Sequence, residues 1–205
     1  MEHLENFRDD ELTVTISELL VATADSSDPL LDDSVSELLH AVRQRMEMDV
    51  VFVSEFVDGQ RMFRYVDAAP GAPDIQAGES NPAEESVCQR VVEGRVPELV
   101  RDLAKVPKKD LPEIPFQIGA HLSTPIVLAN KRIYGTLCCF SAAPRPELVQ
   151  AHLDRLKMCA TLVARKVDKS QAIGLTEPPP EWKLEPKAEY KSPVWQQASR
   201  RSERG

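Results

Sequence analysis

The spacing of apolar residues along this chain changes repeatedly, and each change marks an element. In "DDELTVTISELLVATA" (residues 9–24), Leu12, Ile16, Leu19 and Leu20 recur at helical spacing behind acidic residues. "DDSVSELLHAVRQRME" (32–47) predicts a stronger helix, with Val35, Leu38, Leu39, Val42 and Met46 on one stripe. The period then shortens. "DVVFVSEFV" (49–57) is β-branched and aromatic, and reads as a strand buried on much of both faces. "DGQ" supplies hairpin chemistry, and "RMFRYVDAA" (61–69) is the partner strand.

"PGAPDIQAGESNP" (70–82) is punctuated by Pro and Gly and reads as a loop. Ser80 or Asn81 can cap a helix that has Pro82 at its first position and stops at Gly94. Cys88 falls mid-helix in this reading, aligned with Val91 and Val92. "RVPELVRDL" (95–103) predicts a short strand, and residues 104–119 are irregular with about one helical turn. "AHLSTPIVLAN" (120–130) and "RIYGTLCCFSA" (132–142) predict a second hairpin across "NK". A final helix covers 146–168, with a seam at Val149, Leu153, Leu156, Ala160, Val163 and Val167.

Beyond residue 170 the chain turns Pro-rich and poor in aliphatics, a composition that cannot bury enough surface to fold alone. Three segments follow: an N-terminal helical extension (1–31), a domain (32–169) and a flexible tail (170–205) carrying Trp182, Tyr190 and Trp195. Hairpins at both ends of the domain imply an α+β fold with a mainly antiparallel sheet. Terminal helices cover one face, and residues 70–119 cover the other and leave room for a cleft.

The last helix has a second apolar stripe at Leu148, Cys159 and Leu162. One stripe packs on the sheet. The other is left for the N-terminal helices or a second subunit, and the expectation is a homodimer through the terminal helices.

Net charge is −8 with no basic run before the tail, which excludes nucleic acid as the main partner. No apolar run approaches the roughly 20 residues of a membrane span. "MEHLENFRDDEL" has no secretory character, and the four cysteines show neither a disulfide framework nor zinc-site spacing. These readings predict a cytoplasmic, reduced protein with no membrane partner and no metal signature. Adjacent strand positions put Cys138 and Cys139 on opposite faces, so that pair cannot chelate one ion.

The blocks "MDVVFVSEFVDGQRMFRYVDA", "EESVCQRVVEGRVPELVRD" and "IGAHLSTPIVLANKRIYGTLCCFS", with the final helix, resemble the GAF domain over residues 32–168. The second and third blocks look like the GAF modules found beside bacterial diguanylate cyclase and EAL phosphodiesterase domains. The resemblance implies a six-stranded, profilin-like antiparallel sheet with helices on one face and a covered pocket on the other. It implies a non-catalytic sensory or regulatory domain in intracellular signal transduction. A small ligand would lie between the sheet and residues 76–119, with a signalling protein as partner. The alternatives are a protein-interaction scaffold with a degenerate pocket and, third, a free methionine-R-sulfoxide reductase.

Cys88 falls near one cysteine of the reductase pattern, but residues 104–119 contain no cysteine to relay with. Bilin-type attachment commonly has His after the cysteine, and here Gln89 follows. His121 and Cys88 are the haem-ligand types at hand, and a lone His is no haem signature. "NKRIY" (130–134) matches only the first two positions of the Asn-Lys-x-Phe-Asp-Glu pattern of cyclic-nucleotide GAF domains.

Polar residues interrupt otherwise apolar strands at Ser54, Tyr65, His121, Ser123 and Thr136. Buried, they need a partner: a ligand, ordered water, or the backbone of 70–119. With Phe63, Cys88 and Cys138 they form the candidate pocket set.

Overall fold

The computed structural model describes residues 31–173. The helix expected over 9–24 and the aromatic residues of the tail lie outside them. By compactness the chain divides into residues 1–169 and 170–205.

Helix α1 (Leu31–Met46) leads into strand β1 (Val50–Val57), which turns back into β2 (Gln60–Ala68). The turn is held by Asp58 at φ 51° and Gly59 at φ 74°, the paired left-handed conformation that two-residue hairpins require. A three-residue strand β3 (Ser80–Pro82) follows, then a 3₁₀ turn (Ala83–Glu85) and helix α2 (Val87–Val92). The chain then runs through β4 (Leu99–Val100) and two 3₁₀ turns at 103–105 and 108–110. The hairpin β5 (Ala120–Val127) and β6 (Ile133–Ser141) precedes α3 (Gln150–Ile173).

These strands form one six-stranded sheet in the order β3-β2-β1-β6-β5-β4, with every pairing antiparallel. At its centre β1 meets β6, from Val50 opposite Phe140 to Glu55 opposite Gly135. β6 is buried along nearly its whole length, which explains its unbroken apolar run. At Gly135 the strands approach so closely that a Cβ would sit 1.9 Å from the Ser54 carbonyl oxygen.

The two faces bury different residue sets. On one, the α1 stripe (Val35, Leu38, Leu39, Val42, Met46) shares a core with Val51, Val53, Leu122, Leu137 and Cys139, and with Leu153, Leu156 and Cys159. On the other lie Val50, Phe52, Phe63, Cys88, Cys138 and Phe140. Cys138 and Cys139 do face opposite layers. A third cluster of Val87, Val91, Val96, Val100 and Leu103 gives the covering segment its own small core.

Several sequence expectations are corrected. Ser80 and Asn81 do not cap a helix. They belong to β3, where Pro82 sits opposite Gln60 at the sheet edge, a place that tolerates a missing N–H. The cap is Ser86, whose Oγ accepts from Gln89 N at 3.1 Å, so α2 is short and Cys88 lies in its first turn. Gly94 does take the left-handed conformation past the helix end, at φ 72°. The strand expected over 95–103 reduces to Leu99–Val100. The last helix begins at Gln150, leaving Val149 exposed. Its second stripe is not left over: Leu148, Cys159 and Leu162 lie in the same buried core as the first. The part of the dimer expectation that rested on this stripe therefore loses its basis, while the 9–24 helix lies outside the described residues.

Candidate functional site

A cavity of about 480 Å³ lies between the sheet and the covering segment 74–118, on the face away from α1 and α3. Its floor is aromatic. Phe52 and Phe63 meet edge-on with centroids 5.0 Å apart, and Phe116 stacks on Phe140 at 5.5 Å with the rings inclined by 19°. Arg61 reaches in from β2. Its guanidinium donates to Asn81 Oδ1 through Nε (3.0 Å) and Nη2 (2.8 Å), and lies 4.5 Å from the Phe63 centroid. The carboxylates Asp74, Glu79, Glu85 and Glu113 stand around the mouth.

At the deep end, α2 lowers Cys88 onto the sheet. Its sulfur is 3.0 Å from Cys138 Sγ of β6, and Arg61 Nη1 donates to it across 3.5 Å. Cys138 Sγ is 2.8 Å from Ser123 Oγ, and its thiol donates to Thr136 Oγ1 at 3.2 Å. Thr136 Oγ1 is in turn 2.9 Å from Ser54 Oγ. His121 of β5 is buried beside them, and its Nδ1 has no hydrogen-bond partner. Donor atoms of Cys88, His121 and Cys138 all lie within 4.8 Å of one another.

Burial pushes both thiols up. For Cys88, the adjoining Cys138 thiol, His121 and the Arg61 charge outweigh burial and hold it well below the ordinary thiol value. Cys138 is pushed well above, by burial and then by its neighbour's negative charge. The surroundings of Cys88, with Arg61 beside it, thus favour a thiolate there over one at Cys138.

Of the expected pocket residues, Phe63, Cys88 and His121 line the cavity, while Ser54, Ser123, Thr136 and Cys138 form a buried polar chain beneath it. Tyr65 is corrected. The register of β1 and β2 slips at Val53/Ser54, so Val53 faces Tyr65 while Ser54 faces Phe63. Arg64 is the extra residue of this bulge, and Tyr65 turns to pack on the helix-side core. Arg61 and Asn81 were missed. A lone Arg on an amphipathic strand looks solvated, and its contact with Cys88 spans 27 residues.

The GAF domain family model matches residues 30–168, most of the folded unit just described. This chain is a GAF domain protein. Among solved structures, the GAF domain of an Acinetobacter phosphoenolpyruvate-protein phosphotransferase superposes with TM-score 0.64 at 16% identity, covering 82% of this chain and 97% of that one. The phycocyanobilin-bound GAF domain of a cyanobacterial phytochrome gives 0.61 at 16%, covering 79% and 96%. The free methionine-R-sulfoxide reductase of Neisseria meningitidis, in complex with its substrate, gives 0.58 at 14%, covering 77% and 89%. At such identities the likeness establishes the GAF fold and nothing finer. No curated protein sequence matches the chain. No helix among the described residues is long and apolar enough to cross a membrane.

Proposed function

We propose that this GAF domain is a non-catalytic sensory module of a cytoplasmic signalling system, and that it takes a small organic molecule into the cavity over Phe52, Phe63 and Phe140. The observation that carries the reading is the cavity itself. Its size is in the range of about 300–1,000 Å³ usual for ligand sites, and it pairs an aromatic floor with polar and charged groups that can orient a ligand. Four aromatic rings suit a ligand with a flat, apolar body. The carboxylates at the mouth repel polyanions, which disfavours phosphate-rich ligands. The bilin-bound and substrate-bound GAF structures likewise hold small molecules in this fold. β6 offers the route outward: Cys138 touches the cavity layer and Cys139 the helix layer, so a ligand that shifts this strand changes the packing of α3. The proposed output partner is a signalling protein, and the resemblance of the sequence blocks to GAF domains found beside bacterial diguanylate cyclase and EAL phosphodiesterase modules supports this.

Native mass spectrometry of the purified chain, with a thermal-shift screen of small aromatic metabolites, tests this. The expected result is a non-covalent adduct or a ligand-dependent rise in midpoint, abolished by Ile118→Trp, which fills the cavity. An empty cavity and no shift across the screen would favour the scaffold reading.

One observation favours a second reading. Cys88 and Cys138 are close enough for a dithiol that reduces a sulfoxide, leaving sulfide, disulfide and water. Thiol-dependent turnover of free methionine sulfoxide, lost in Cys88→Ser, would replace the sensor reading with this one.

A further inference from the structure

We propose that Cys88, His121 and Cys138 form a Zn²⁺ site at the deep end of the cavity, with the fourth coordination position open to the cavity. The proposal does not depend on the organic ligand: the metal site stands or falls on these three side chains.

Three elements converge to make it. α2 supplies Cys88, β5 supplies His121 and β6 supplies Cys138. All three are buried, and one donor atom from each lies within 4.8 Å of the other two. Two thiolates and an imidazole are a donor set that selects zinc among the common divalent ions, and three protein ligands leave one position for water or substrate. In tetrahedral geometry with Zn–S of about 2.3 Å, two zinc-bound sulfurs stand roughly 3.7 Å apart. The present separation is 3.0 Å, so binding requires the two sulfurs to move apart by about 0.7 Å.

The surroundings are what such a site needs. His121 Nδ1 is a buried nitrogen without a hydrogen bond, a costly arrangement for a group with nothing to bind. Ser123 Oγ lies 2.8 Å from Cys138 Sγ, placed to donate to a thiolate, and Arg61 Nη1 already donates to Cys88 Sγ. Two thiolates and neutral His cancel the charge of Zn²⁺, and Arg61 offsets residual negative charge on sulfur. A plain dithiol explains the two cysteines, but leaves the buried His121 Nδ1 beside them without a partner. Cys88 and His121 both line the cavity, whereas Cys138 lies beneath it. The open position therefore faces the ligand space, where a donor atom of a bound molecule can replace water.

The test uses the full reduced chain, stripped with a chelator and titrated with Co²⁺ alone, then Zn²⁺ alone. Expected are thiolate-to-cobalt charge-transfer bands with tetrahedral d–d bands at one Co²⁺ per chain, displaced by one Zn²⁺. Cys88→Ser and His121→Gln should each weaken Co²⁺ binding beyond the roughly 10–100-fold that losing an outer-shell partner costs. Cys159→Ala, in the helix-side core, should keep the bands. Because a buried variant can fail to fold, X-ray absorption of the zinc-loaded unmodified chain gives an independent reading, with two sulfurs and at least one imidazole nitrogen expected. A folded, reduced chain without thiolate bands, a sulfur-free zinc shell, or bands that survive Cys88→Ser would overturn the site. So would a Cys88–Cys138 disulfide that persists under reducing purification.

Discussion

The four cysteines occupy two electrostatic worlds one strand thickness apart. Burial pushes Cys139 and Cys159 up to about 12 in the helix-side core, and no cation adjoins them to reverse it. Cys88 is just as buried, yet the adjoining Cys138 thiol, then His121 and Arg61, hold it low. In metal-free protein at neutral pH, a small neutral alkylating agent should therefore modify Cys88 first. Cys139 and Cys159 should react only on unfolding. Peptide mass mapping over time checks this, and equal rates at all sites would contradict it. The same residues show where sequence reasoning stops. The apolar-strand interruptions exposed Ser54, His121, Ser123 and Thr136, because a polar side chain on a buried strand is visible locally. Cys88, His121 and Cys138 belong to one expected pocket set, but the direct approach of their donor atoms was not visible. They are separated by 33 and 17 positions along the chain, and strand pairing, not spacing, brings them together.

Among elements, the hairpins were the most legible, since turn chemistry and alternation are local. The bulge at Arg64 was not. Nothing in "MFRYV" distinguishes it from regular alternation, and one extra residue moves Tyr65 to the other layer. The short helix was misjudged because Pro82 suits both a first helical position and an edge strand. Sheet pairing with Gln60 decided for the strand. Ser86 then carries the helix alone, accepting from Gln89 N and donating to Ala83 O at 2.6 Å. Ser86→Ala should cost about 1 kcal/mol in urea unfolding, with the slope unchanged. No change in midpoint would mean that packing of Val87 and Val91 suffices. Gly135→Ala is a harsher case. Its added methyl meets backbone on β1, not a flexible side chain. A loss of about 3 kcal/mol, at the upper end for overpacking, is expected. A variant with wild-type stability would contradict this strand spacing.

For the whole domain, the groups with raised values set an alkaline limit. Tyr134 is pushed up to about 12, by burial first and then by Glu55, alongside Cys139 and Cys159. Each is kept neutral by folding, whereas the unfolded chain ionises thiols from about pH 8.5 and tyrosine from about pH 10. Their contribution is complete below those values and is lost as pH rises toward about 12. Each group can remove up to about 1.4 kcal/mol per pH unit within its window. Unfolding free energy should thus decline with growing steepness above about pH 9. A stability that stays flat to pH 11 would show that these groups are hydrated in the fold.

The central pairing of β1 with β6 also has a consequence in time. Val50 waits for Phe140, so the sheet cannot close around its middle until most of the domain has been made. At roughly 5–20 residues per second, synthesis separates the two strands by several seconds. Over that interval the β1–β2 hairpin carries a bare, strongly apolar edge, the kind of edge that recruits other strands. A chain stopped at residue 132 should therefore precipitate or bind a holdase chaperone, whereas one stopped after α3 should not. If the shorter chain stays soluble and monomeric, some other segment must shield β1 on the way to the native sheet.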